Sequence, residues 1–215
     1  MRLGDWINRK RHNRGFGIQS PSAFFFITQV LRERLPYYHY PLLDAIANEE
    51  NGISRKHARE LFRITNDYNP ERIIAAGSHT AACAMALAKP AAVKHSISGT
   101  APGKKACRLL AELGCDIARG DTAELLSKIL EESGKTGMLY IGSCDNYAEL
   151  WDIAMRHVNE ESVVVIEGIH RNKALEQWWQ GVVENTATII TYDLYSYGIV
   201  LFNKNRYKQN YKLKL

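Results

Sequence analysis

The chain contains no run approaching the roughly 20 apolar residues needed to cross a bilayer, so no spanning segment is expected in its 215 residues. Its opening, MRLGDWINRKRHNRG, is basic but lacks the apolar stretch and small-residue cleavage site of a secretory leader. None of its four cysteines, Cys83, Cys107, Cys115 and Cys144, forms a CxxC pair, and their spacing fits no zinc finger or ribbon. Buried free thiols in a reducing cytoplasm are the expectation. Internal repeats and low-complexity tracts are also missing. Excess charge is missing from the body: residues 1–14 carry +4 and residues 203–215 carry +5, so the total of +5 leaves −4 for residues 15–202. A nucleic-acid-binding protein usually has a basic face, so nucleic acid is an unlikely partner here.

What is present divides into two patterns. Residues 1–69 hold no convincing strand. Ser20-Pro21 is a helix-start signal, because serine caps and proline suits the first helical position. A helix is expected from Ser22 to Leu35, a second from Pro41 to Asn48, and a third capped by Ser54 with Ala58, Leu61, Phe62 and Thr65 on one face. Tyr37, Tyr38 and Tyr40 lie between the first two; they suit either packing or the lining of a pocket.

From residue 70 short apolar runs alternate with helical patterns. Strands are expected at 72–76, 92–97, 115–119, 137–141 and 162–166, with helices at 80–88, 103–113, 123–133, 146–157 and 172–185. Of Trp178 and Trp179, in the last helix, at least one should pack on the sheet. Continuous apolar strands separated by helices indicate a parallel sheet covered on both faces, and right-handed crossovers make it doubly wound. Three further strand patterns, 187–193, 198–202 and 207–213, follow without helices between them. The sheet should therefore end in an antiparallel hairpin.

Five βα units and a terminal hairpin resemble the class I S-adenosylmethionine (SAM)-dependent methyltransferases. RIIAAGSHTAA (72–82), VKHSISG (93–99), ARGDTAELL (118–126), MLYIGSCDN (138–146), VVVIEGIHRN (163–172) and TYDLYSYGIVLFNK (191–204) stand at the positions of that family's strand ends. GFGIQSPSAFFFITQVL (15–31) is similar to a leader in a bacterial subgroup related to the catechol-type O-methyltransferases. The resemblance implies a Rossmann-like, mostly parallel seven-stranded sheet. The helical region 1–69 would belong to the same domain as the α/β part, 70–215.

The resemblance also implies a site. SAM would lie at the carboxyl ends of the first strands, where the strand order reverses. Gly77 matches the first glycine of the β1 turn, with Ser78 and His79 beside it; His79 could donate to the methionine carboxylate. Ser98 stands at the ribose position, Gly120 and Asp121 on the adenine side, and Gly142 after the fourth strand. Asp121-Thr122-Ala123-Glu124 is also a helix capping box. The pattern departs from the family's at Ala75 and Ser98, which replace carboxylates, and at Ala81, which replaces a glycine. Catechol-type relatives often hold a divalent metal with acids after the fourth and fifth strands. Here those positions read Gly142, Glu167 and Gly168, which is too few hard oxygen ligands, and no bound metal is expected. Glu167 and His170 are the candidate catalytic groups, His170 as a general base.

Two functions follow: methyl transfer from SAM to a small-molecule acceptor, or a catalytically silent member that binds or regulates. A homodimer and a cytoplasmic setting accompany both, and the N-terminal helical region could cover either the site or a neighbouring subunit.

Overall fold

The computed structural model describes residues 15–50 and 52–213. An eight-stranded sheet forms its centre, in the order β3-β2-β1-β4-β5-β7-β6-β8. The strands are β1 Arg72–Ala76, β2 Val93–Ser98, β3 Asp116–Arg119, β4 Met138–Ile141, β5 Val163–Glu167, β6 Ile190–Asp193, β7 Tyr197–Leu201 and β8 Gln209–Lys212. The first five are parallel. β7 runs antiparallel between β5 and β6. β8 pairs parallel with β6, so the sheet has eight strands and not the seven that the resemblance implies. The eighth is an edge strand placed by Tyr211, which is buried and stacks on Tyr192 with ring centroids 5.2 Å apart.

Side chains alternate across the pleat, and helices bury both faces. Ile73, Ala75, Met138, Tyr140, Val163 and Val165 face one layer. That layer contains α1 (Pro21–Phe25, continuing as a π-helix over Phe26–Leu31), α2 (Tyr40–Glu50), α3 (Arg55–Tyr68), α4 (His79–Ala88) and α5 (Lys104–Glu112). Ile74, Ala76, Leu139, Ile141, Val164 and Ile166 face the other, built from α6 (Thr122–Ser133), α7 (Tyr147–Met155) and α8 (Lys173–Glu184). Trp179 is fully buried there, whereas Trp178 packs more shallowly against Tyr147 and Trp151.

The first helix stops at Leu31, four residues before the sequence suggests. Buried Arg63, on α3, donates to Val30 O and Leu31 O at 2.8 Å each and to the Tyr40 hydroxyl at 3.1 Å. The guanidinium thus satisfies carbonyls that a continuing helix would have needed as its own acceptors. Tyr37 and Tyr40 pack against Phe62, while Tyr38 is almost fully exposed. Cys83 is buried, but Cys107 is exposed, against the expectation of uniformly buried thiols; it lies on the outer face of α5.

Gly198 on β7 makes room for Trp179. A Cβ there would overlap the indole, with Cζ3 only 2.7 Å away. The ring is locked in the core and cannot swing aside. Gly198→Ala should therefore destabilise the fold by about 2–3 kcal/mol, as overpacking does. Urea unfolding checks this; an unchanged midpoint would contradict it.

Candidate functional site

The carboxyl ends of the five parallel strands form one edge. Backbone hydrogen bonds extend the ladder one residue beyond the strands and set the candidate residues in a row. Gly120 N–H donates to Ser98 O at 3.1 Å, Gly77 N–H to Ile97 O at 2.8 Å, and Gly142 N–H to Ala76 O at 2.8 Å. Ser143 N–H donates to Glu167 Oε2 at 3.1 Å. The row therefore reads Gly120, Ser98, Gly77, Gly142, Glu167. Four inter-strand spacings make it about 19 Å long. The strand order reverses between β1 and β4, the place where open α/β sheets bind ligands.

Two glycines fit this crossing point closely. Gly77 has φ +82°, a left-handed conformation that side chains disfavour. A Cβ on Gly142 would lie 3.0 Å from Ala76 O and 3.1 Å from Gly77 O, and backbone cannot yield easily. The turns after β1 and β4 therefore touch backbone to backbone.

The other positions are engaged locally. Ser78 caps α4, its Oγ accepting from Ala81 N–H at 3.2 Å. Asp121 caps α6, Oδ1 accepting from Ala123 N–H and Glu124 N–H at 2.9 Å each, as the capping pattern suggests. Ser98 is buried; its Oγ accepts from Thr100 N–H and shares a hydrogen bond with Thr100 Oγ1, each at 3.2 Å. The loop leading to α5 is tied down by α2: Glu50 accepts from Gly103 N–H and Glu49 from Lys105 N–H. Ala75 is fully buried in the sheet, so a carboxylate at that position would be desolvated.

Two histidines differ from expectation. His79 is buried at the start of α4. Its Nε2 donates to Thr100 O at 3.0 Å, and Nδ1 bonds Ser96 Oγ at 2.9 Å. Both ring nitrogens are committed, so the role of donor to a cofactor carboxylate is withdrawn. His170 faces Asp193 Oδ2 at 2.8 Å through Nε2 and Glu176 Oε1 at 3.3 Å through Nδ1. Its ring also stacks on Tyr195, centroids 5.1 Å apart, at the hairpin tip. Neither nitrogen is left to take an acceptor's proton, and the assignment as general base is withdrawn. The dyad pins the loop after β5 to the terminal hairpin.

Glu167 is placed differently. Half-buried at the end of β5, its Oε2 accepts from the Tyr140 hydroxyl at 2.9 Å as well as from Ser143 N–H. Burial, then the nearby carboxylate, pushes the Tyr140 hydroxyl well above the usual tyrosine range, so it stays a proton donor. Arg171 reaches across to the β4 turn, bonding Ser143 Oγ and Cys144 O and lying 3.6 Å from Asp145 Oδ1. Behind Tyr140 lies His57 of α3, 5.8 Å between ring centroids, and His57 stacks flat on Tyr197 at 4.0 Å. Tyr197 in turn donates to buried Glu60 at 2.9 Å. His57 Nε2 is buried without a hydrogen-bond partner.

Sequence reading missed Tyr140, Arg171, His57 and Thr100. Tyr140, Arg171 and His57 meet partners distant along the chain, and Thr100 joins nearby Ser98 to distant His79; no local pattern marks these contacts.

A divalent metal does not fit the donors present. Gly142 offers no side chain, Glu167 already holds two donors, and Asp145 is exposed beside a guanidinium. Among the described residues no three His, Cys, Asp or Glu side chains gather into a cluster. Nor is any described helix long and apolar enough to cross a membrane.

No protein-family profile matches the sequence, and no curated protein matches it. Solved structures do match. An O-methyltransferase of tomaymycin synthesis from Streptomyces achromogenes, in complex with SAM, has a TM-score of 0.60 at 14% identity, covering 83% of this chain and 94% of that one. A methyltransferase from Podospora anserina bound to SAH scores 0.63 at 12% identity, over 87% and 94%. An O-methyltransferase from Bacillus cereus in complex with SAH scores 0.59 at 10% identity, over 82% and 95%. The fold is that of the class I SAM-dependent methyltransferases, Rossmann-like with a terminal antiparallel hairpin.

Proposed function

We propose that this chain is a SAM-dependent methyltransferase that acts on a small hydroxylated acceptor without a divalent metal. The observation that carries this reading is the row Gly120–Ser98–Gly77–Gly142–Glu167 along the carboxyl edge, with the order reversal at its middle. The fold match extends over more than nine-tenths of structures that contain SAM or SAH.

The residues fit the cofactor unevenly. Gly77, at φ +82°, presents bare backbone in its turn, with Gly142 Cα 3.7 Å from where a Cβ would lie. Ser98 and Thr100 offer hydroxyls, not a carboxylate, to the ribose diol. Asp121 can meet the adenine side while its Oδ1 caps α6. Bound SAM supplies an electrophilic methyl group. Glu167 would be the base: it stands at the end of β5, oriented by Tyr140 and Ser143, and would accept the proton of an acceptor hydroxyl. Arg171 supplies positive charge beside the β4 turn. The same proposal takes the acceptor to be a small molecule and the setting to be a cytoplasmic homodimer.

The second reading, a silent member that binds or regulates, draws support from the ribose corner. There Ser98, Thr100 and His79 bond to one another and no carboxylate is offered.

The test is methyl transfer from labelled SAM to a panel of catechols and phenols with EDTA present. Transfer should proceed equally with and without chelator. Glu167→Gln should lower it about 10²-fold, the usual contribution of a general base. Transfer that depends on added Mg²⁺ would sink the metal-free mechanism. No transfer, with SAM still bound, would leave the silent reading.

A further inference from the structure

At the opposite edge of the sheet, where the parallel strands begin, lies a cavity of about 410 Å³. Arg72 at the start of β1, Gly137 just before β4, Val163 at the start of β5 and Leu201 at the end of β7 line it. The five residues from Arg72 to Gly77 set it about 16 Å from the turn of the candidate cofactor site. Open α/β sheets bind ligands at the carboxyl edge, so the cofactor reading gives this cavity no role. Its volume nevertheless suits a small molecule.

Three cations, Arg72, Lys135 and Arg206, and three acids, Glu71, Glu160 and Glu161, line the cavity. They are unevenly matched. Lys135 Nζ pairs with Glu71 Oε2 at 2.8 Å, and Glu160 Oε2 accepts from Asn205 Nδ2 at 3.1 Å. The two guanidiniums meet neutral partners instead. Arg206 Nη1 donates to Ser22 Oγ at 3.0 Å. Arg72 Nη1 donates to His95 Nε2 at 3.2 Å; burial lowers the His95 imidazole, which stays neutral and able to accept. Among the described residues neither arginine has a carboxylate in ion-pair contact. Arg72 Nε is buried with no hydrogen-bond partner. A buried donor without an acceptor is costly and calls for an explanation. A ligand carboxylate supplies one, because a guanidinium binds it through parallel N–H bonds.

We propose that this cavity binds a small monocarboxylate with an apolar body, its carboxylate held by Arg72 and Arg206 and its body set against Tyr68, Pro70, Val163 and Leu201. A dianion such as phosphate fits less well. Glu160 and Glu161 border the same cavity and repel a second negative charge, and phosphate offers the apolar residues nothing to bury. The proposal is independent of the methyltransferase reading and lies at the other end of the strands.

The test is titration calorimetry of the full chain with 3-phenylpropionate as probe, beside its uncharged amide and inorganic phosphate. The acid should bind at one site per chain, and the amide at least ten-fold more weakly, because it lacks the charge the arginines hold. Arg72→Met should weaken the acid about 10- to 100-fold. Arg72 is half-buried, and if that variant fails to fold, Arg206→Gln on its exposed connection tests the same clamp, with at least a ten-fold loss expected. No heat with the acid at millimolar concentration, equal binding of the amide, tighter binding of phosphate, or full binding by a folded arginine variant would overturn the proposal.

Discussion

On acidification from pH 7 to pH 4, the protein is expected to lose about 3 kcal/mol of folding stability through one residue, His57. Burial, and secondarily the Lys56 ammonium, pushes its imidazole down to about 3. The ring is 5% exposed, flat on Tyr197 and beside Tyr140, and no carboxylate bonds it. In the unfolded chain it titrates near 6.5. The folded value is depressed, so the unfolded state binds the extra proton first. Stability is complete above about pH 6.5 and falls as pH drops toward 3, by about 1.4 kcal/mol per unit. Glu60, one turn along α3, acts in the opposite sense. Burial raises its carboxyl, so protonation of Glu60 favours the folded state as pH falls. The comparison with His57→Phe isolates the histidine, because phenylalanine preserves the stack and cannot protonate. Urea unfolding at pH 7 and pH 4 should show a steep loss for the wild type and a loss about 3 kcal/mol smaller for the variant. Equal losses in the two would show that His57 is not the acid-sensitive group.

The second large effect is a gain. Ser98→Asp should tighten SAM binding about 10- to 100-fold. A hydrogen bond to a charged group is worth about 1.5–3 kcal/mol, and the ribose diol offers two donors where Ser98 supplies only a hydroxyl. The new carboxylate would inherit the Thr100 N–H that Ser98 Oγ now accepts, so part of its charge is met within the loop. Equilibrium dialysis of both proteins against labelled SAM measures the ratio. An unchanged or weaker affinity, from a variant with unaltered stability, would mean that the diol does not lie at the end of β2.

Much of the architecture is legible because burial on both faces leaves a plain signature. RIIAA and SVVVI are continuous apolar runs, and Pro90 and Gly114 follow the helices they terminate. The positions of the candidate site are legible for a related reason: strand ends fall in a row once the order of strands is known, and the resemblance supplies that order. What stays hidden is carried by side chains from elsewhere in the chain. Arg63 ends the first helix from 32 residues away. Asp193 captures His170 across 23 residues, and Ser96 and Thr100 enclose His79. A histidine at a strand end reads as available chemistry until its partners are placed. The eighth strand has a related cause: its pattern is present in the sequence, but the expected sheet stops at the hairpin, and the added edge is fixed by buried Tyr211 and Leu213 and by the Thr191–Asn210 hydrogen bond.

Titration calorimetry with SAH is the most direct measurement of whether the carboxyl edge is a cofactor site. The expected result is one site per chain, weakened about 10²- to 10⁴-fold relative to a site that keeps both carboxylates, and strengthened in Ser98→Asp. No heat up to millimolar SAH, from folded wild type and folded Ser98→Asp alike, would contradict it and leave the fold without the cofactor.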